Sequence, residues 1–435
     1  MPLSKRRRGM DPEGVDEQPR IPSLSSTNRT TTIAQLPLEI VFDVLERCDL
    51  EGRRSFAATC QWAHQVSLPI LFREMHIRRG SVDLLAKYPF LQEQLTSIIL
   101  ITQLAERSNK VQSLVNRLSD MSSNMHRLRE VTISNIDTIS DFKMLSGFLA
   151  ALRKLHITSL SIDFGHAFSG SSGAWASNLT AETRATVEDY DLNFLGNLKK
   201  LTLRFEAFVS HLITPVDIIP LAFGPSKDTL EFLHVELNEI TYSSVRRRRR
   251  VKTNIPRWER IYHKNLISTS LKELEFSCVT SQDVTDLDRA FLPFADIGKM
   301  WPSLKRIMYM VNGSWNNETV FKALNNLSDL TSLEDLSLFS PRAFGWWSNV
   351  NRIFVDVETQ LLNYGTNLPR SLIVVRFYAR VFPQPPGSKS TVYEPVEAHI
   401  TRESTTLGIK KICRGQKISE TFFQRDWTYN LGNRR

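Results

Sequence analysis

The sequence predicts an α/β fold: a short all-helical unit near the N-terminus, followed by an irregular solenoid of repeated units with a parallel sheet. Three observations carry this reading. Apolar residues at helical spacing are concentrated between Leu36 and Phe72. A short pattern, Leu-x-x-apolar-x-apolar, then returns nine times. Between its copies lie stretches with the 3.6-residue period of a helix.

Taken in order, residues 1–32 are polar, charged and rich in Ser, Thr and Pro. Such a tail cannot bury enough apolar surface to offset its ordering entropy, so disorder is expected. Periodicity begins at Ile33. In LPLEIVFDVL, Ile40, Val41, Val44 and Leu45 share one helical face, and Pro37 sits where the first turn needs no N–H donor. Asp49 is placed to N-cap a second helix through Ala58. Gly52 inside that helix costs ~1 kcal/mol and argues for a short or late start. Thr59 is placed to cap a third helix, TCQWAHQVSL, which Pro69 is expected to stop. Three helices in forty residues enclose little core, so this unit, drawn over 33–78, calls for a partner surface.

From 79 to 430 the repeats begin at Leu95, Leu128, Leu152, Leu198, Leu230, Leu271, Leu304, Leu333 and Leu372. Successive leading leucines are 33, 24, 46, 32, 41, 33, 29 and 39 residues apart. The last two apolar positions of each copy are two apart, so on a strand both face the core. The residue between them faces the other way. That logic lines up a ladder of Ile99, Thr132, His156, Thr202, His234, Glu275, Met308, Ser337 and Arg376 across one face of the sheet. SNVNRIFVDVETQLLNYG, with Val350, Ile353, Phe354, Val357 and Leu361 at helical spacing, illustrates the connecting helices. The long gaps 158–197 and 236–270 are expected to be looped insertions.

Composition excludes several classes. No run approaches the ~20 apolar residues of a membrane span, and MPLSKRRRGM lacks the apolar region of a secretory signal. Cys48, Cys60, Cys278 and Cys413 are scattered and form no C-x-x-C pair, so reduced thiols are expected. The five N-x-[ST] sequons then carry no information. The net charge of +9 sits in Lys5–Arg8 and Arg246–Arg250; outside them 46 basic residues face 46 acidic ones. A nucleic-acid binder spreads its cations over a face, and this chain does not. Lys5–Arg8 is a candidate import signal, and Arg246–Arg250 is an import signal, an anion clamp or a solvated loop. Histidines 156 and 234 read as ordinary surface residues. No zinc signature, phosphate loop or G-x-S-x-G elbow occurs. Trp346-Trp347 and Phe422-Phe423 with Trp427 read as packing. No cofactor, metal or catalytic residue is expected.

One resemblance goes further. Leu36-Pro37-x-Glu39-Ile40, Leu45, Asp49-Leu50, Thr59-Cys60 and Leu68-Pro69-x-Leu71-Phe72 together resemble the F-box, in the form found in fungal F-box proteins. Arg73-Glu-Met-His-Ile leads on to a first strand, again as in that family, and the rest is similar to a leucine-rich-repeat region. The resemblance implies a non-enzymatic, substrate-recruiting subunit of an SCF-type ubiquitin ligase. A Skp-type adaptor, and through it a cullin, would dock on Leu36, Pro37, Ile40, Val41, Val44, Leu45, Leu50, Phe56, Cys60 and Trp62. A protein substrate would dock on the ladder, most directly at Thr202, His234, Glu275, Met308, Ser337 and Arg376. The expected compartment is the cytoplasm, the nucleus or both, with no membrane attachment. Two alternatives stay open: a repeat scaffold without a ligase role, and a nucleic-acid-associated protein working through its arginine run.

Overall fold

The computed structural model describes residues 33–77, 79–101, 108–134, 139–164, 194–206, 215–238, 264–279, 296–312, 327–339, 368–380, 392–403, 406–414 and 418–419, with isolated positions at 136, 359, 361 and 362. The N-terminal tail, Arg246–Arg250 and both aromatic clusters lie outside these residues. So does the 348–365 stretch, apart from three positions that include the buried Leu361. The chain divides into two compact units, Met1–Ile70 and Leu71–Arg435. The first strand therefore belongs to the second unit rather than to the 33–78 segment.

The first unit contains α1 (Leu38–Arg47) and α2 (Leu50–Ala57), and α3 (Gln61–Leu71) begins within it. Gly52 does not delay α2. The Asp49 carboxylate accepts the Gly52 N–H at 2.7 Å, satisfying a first-turn donor. A Cβ at 52 would stand only 3.0 Å from that carboxylate oxygen. Arg53 reaches back to the end of α1, donating to the Leu45 and Glu46 carbonyls at 2.8 Å each. A cation there also opposes the negative end of the helix. Thr59 does not cap α3; its hydroxyl donates to the Phe56 carbonyl at 2.7 Å, closing α2 instead. The cap falls to Cys60, whose sulfur accepts the Ala63 N–H at 3.4 Å. Pro69 does not stop α3, which runs on to Leu71. Its missing N–H leaves one carbonyl of the preceding turn without its helical donor, and the helix tolerates that loss two residues from its end. Val41, Leu45 and Ile70 form a small interior, covered by Phe42, Phe56, Trp62 and Val66. Phe56 and Trp62 meet edge to face at 6.2 Å.

The second unit is organised by one sheet whose strands lie side by side in chain order: β1 (Glu74–Ile77), β2 (Ser97–Ile101), β3 (Glu130–Ser134), β4 (Ser159–Phe164), β5 (Lys200–Glu206), β6 (Phe232–Asn238), β7 (Glu273–Val279), β8 (Arg306–Asn312), β9 (Asp335–Phe339) and β10 (Val374–Arg380). All nine contacts between these neighbours are parallel. The final strands depart from that rule. β11 (Val392–Glu403) pairs antiparallel with β10, with β12 (Thr406–Arg414) and with the short β13 (Ile418–Ser419). Parallel neighbours need a crossover, whereas an antiparallel pair needs only a hairpin. Two residues separate β11 from β12.

The repeat pattern is explained by burial. All nine predicted leading leucines are at most 3% exposed, and for eight of them the alternating strand positions pack beside them. In β5, Leu201, Leu203 and Phe205 are buried while Thr202 and Arg204 stay half-buried on the opposite face. Each unit also clamps to the one before it. The backbone N–H of Thr96, Arg129, Thr158, Lys199, Glu231, Lys272, Lys305, Glu334 and Ile373 donates to the carbonyl of its counterpart one unit earlier, beginning at Arg73, at 2.8–2.9 Å.

That series corrects one repeat. The position after the leading residue is Thr158, not Arg153, so Ile157 takes the leading place and Leu160 and Ile162 are the strand apolars. Leu152 instead ends α7 (Ile139–Leu152), and His156 precedes the strand, exposed. Both registers satisfy the same short pattern; the helix claims Leu152 because α7 continues through it. The neighbouring separations become 29 (Leu128 to Ile157) and 41 (Ile157 to Leu198). β4 therefore lies inside the gap expected to be a loop. α4 (Arg79–Lys87), α5 (Pro89–Gln94), α6 (Ser108–Met121), α7 and α8 (Pro215–Phe223) supply further core, with Leu85, Leu91, Phe148, Leu149, Ile218, Ile219 and Phe223 buried.

Candidate functional site

Two surfaces are candidates, one on each unit. On the helical unit the ten sequence-predicted residues separate by depth. Val41 and Leu45 are 2% exposed and form the interior, so they offer a partner almost no surface. Phe56 and Trp62 are half-buried against them. Leu36, Pro37, Ile40, Val44, Leu50 and Cys60 are exposed. The reason is angular: Ile40 with Val44 and Val41 with Leu45 are two adjacent stripes of α1, and a helix packed on one side buries one of them. The sequence reading missed Ile33 and Leu38. Together, Ile33, Leu36, Leu38, Ile40, Val44 and Leu50 are 40–55% exposed. Large apolar side chains gathered on a segment this short leave an apolar surface bare to water.

On the sheet, register aligns His76, Ile99, Thr132, Ser161, Thr202, His234, Glu275, Met308, Ser337, Arg376, Glu397 and Cys413 in one row. Eight of the nine expected ladder residues belong to it; Ser161 stands where His156 was expected. The row is less open than alternation alone implies, because neighbouring strands are only ~4.8 Å apart and side chains shield one another. Ser337 is 2% exposed and offers a partner almost nothing.

The row is also cross-linked by charge. His234 Nδ1 lies 2.9 Å from Glu275 Oε2, and its Nε2 lies 3.9 Å from Glu236 Oε2. Glu236 is also 3.5 Å from Arg204 Nε. Burial works against the imidazolium, but the hydrogen bonds and charges of Glu236 and Glu275 outweigh it and raise its pKa to about 9. Histidine 234 is therefore a cation at neutral pH, not an ordinary surface histidine. Arg376 pairs with Asp335 and, at 3.0 Å, with Glu397. Burial disfavours its charge, yet these carboxylates hold the guanidinium more firmly protonated. A hollow of about 300 Å³ opens beside this network, lined by Lys272, Glu273, Lys305, Arg306, Glu334 and Asp335 among others.

No family model matches the chain, and no curated protein matches its sequence. Among the described residues, no helix is long and apolar enough to cross a membrane.

Proposed function

We propose that the protein is an F-box-type adaptor: its helical unit docks a Skp-type partner of a cullin ubiquitin ligase, and its sheet unit, read as a leucine-rich-repeat-like solenoid, recruits a protein substrate. The observation that carries this reading is the exposed apolar surface of Leu36, Leu38, Ile40, Val44 and Leu50 beside a small, separate interior. Bare leucine and isoleucine side chains gain from burial by about 25 cal/mol per Å² covered. Helix-against-helix docking offers that cover at i, i+4 spacing. The protein itself makes and breaks no bonds; its contribution is to hold a substrate lysine near a charged enzyme.

The test is co-purification with a Skp-type adaptor. Ile40→Asp, and separately Leu36→Ala with Pro37→Ala, should abolish recovery while the circular-dichroism melt of the protein stays unchanged, because none of these side chains lies in the interior. Undiminished recovery by both variants would falsify the adaptor reading.

Substrate recruitment is tested at Glu275 and Met308 on the sheet row, where Glu275→Gln and Met308→Asp should weaken substrate capture and spare adaptor binding. Arg376 is a poorer probe, because reversing its charge would also set Asp335 and Glu397 against a third acid.

A further inference from the structure

We propose that Glu397, His399 and Cys413 form a binding site for a divalent transition-metal ion of the zinc class. Sequence signatures give no hint of it, since the spacing is Glu-x-His followed fourteen residues later by Cys. Strand pairing assembles it. Glu397 and Cys413 are direct partners across β11 and β12, and His399 lies two residues from Glu397, on the same face.

The geometry suits one ion. His399 Nε2 is 3.7 Å from Cys413 Sγ and 3.6 Å from Glu397 Oε2. One donor atom from each of the three residues lies within 4.8 Å of the others. Zinc bonds of about 2.3 Å to sulfur and about 2.0–2.2 Å to nitrogen and oxygen put tetrahedral donors about 3.4–3.6 Å apart. The same nitrogen faces both other donors, so a single ion can meet all three with small adjustments. A thiolate, an imidazole and a carboxylate form a donor set that favours zinc over calcium or magnesium. Binding converts the Cys413 thiol to a thiolate and releases its proton to solvent.

The surroundings orient the donors. Arg376 Nε holds the other Glu397 oxygen, Oε1, at 3.0 Å, leaving Oε2 turned to His399. Such outer partners fix a ligating carboxylate. All three side chains are half-buried, open enough for an ion to enter. The other histidine–carboxylate cluster lacks this property: His234 turns Nδ1 to one glutamate and Nε2 to another, and opposite ring nitrogens cannot share an ion.

The test uses the full chain, reduced and freed of metal, titrated with Zn²⁺ by calorimetry and with Co²⁺ as a spectroscopic probe. One equivalent should bind, and Co²⁺ should give a near-ultraviolet thiolate charge-transfer band. Cys413→Ser should remove that band, and His399→Ala should weaken Zn²⁺ binding by about tenfold or more. Replacing Cys48 and Cys60 by serine should leave both signals intact. Zn²⁺ should also slow alkylation of Cys413 in the wild-type chain, mapped by peptide mass, a readout that needs no folded variant. A band that survives Cys413→Ser, or alkylation of Cys413 indifferent to Zn²⁺, overturns the site.

Discussion

The two units solve the problem of apolar surface in opposite ways. In the sheet unit one continuous core runs from Met75 to Ile400, and most of its large apolar residues are nearly inaccessible. In the helical unit three residues form the interior, while at least as many large apolar side chains stand in water. A core of that size contributes little beyond what ordering the chain costs, as expected for a segment of about forty residues. The lesson is that the two sets of leucines answer to different pressures. Those of the sheet are there for stability, and the exposed ones of α1 and α2, which add nothing to the interior, are the surface that the proposed adaptor docking would cover.

This contrast can be broken by mutation, and the largest effect should come from the sheet core. Trp301 is fully buried, donates its indole N–H to the Leu266 carbonyl at 2.6 Å and lies 6.1 Å from the Phe223 ring. Trp301→Ala should cost roughly 3–5 kcal/mol, seen as a lower denaturant midpoint. A loss below about 1 kcal/mol would mean the core is far looser than its burial implies.

A second test sharpens the electrostatic side. The folded-state pKa of His234, about 9, lies above its ordinary 6.5. Its stabilising effect is therefore complete below pH 6.5 and is lost as pH rises through 9. The linkage amounts to at most roughly 3 kcal/mol. Denaturation midpoints measured between pH 6 and 10 should fall, and His234→Gln should flatten that slope. Equal slopes for both proteins would remove His234 as the cause.

Smaller again is Gly298→Ala. A Cβ there would meet the Asp329 carbonyl oxygen at 2.7 Å and its carbon at 2.9 Å, backbone atoms that cannot swing aside. Overpacking of this kind costs about 1–3 kcal/mol, readable as a drop in melting temperature. An unchanged melt would show that the loop yields. At the bottom of the scale, Val44→Ala on the exposed stripe should shift stability by less than about 0.5 kcal/mol. Its neighbour Leu45→Ala, in the interior, should cost about 2 kcal/mol or more. Similar costs for the two would erase the distinction between stripe and interior.

Much of this was legible in the residues. The leading leucines and their alternating followers are buried because a two-residue period on a strand admits no other arrangement with one face covered. Asp49 caps α2 because its carboxylate can reach the N–H three residues on. Local chemistry of that kind is complete within a few residues. The same short range explains the errors. Leu152 and Ile157 both fit the leading position, and only the hydrogen bonds to the preceding unit separate them. Ile40 and Val41 look alike in sequence, and the packing of α3 decides which turns inward.

What the sequence by itself determined, then, was the repeating strand, its buried face and the row that runs along the other. Tertiary structure decided which residues of that row meet. His234 is held charged by Glu236, two residues along its own strand, together with a glutamate 41 positions away on the next strand. Glu397, His399 and Cys413 converge because β12 pairs antiparallel with β11. Pairing across strands depends on register, and register is set by the whole sheet rather than by any short stretch of chain.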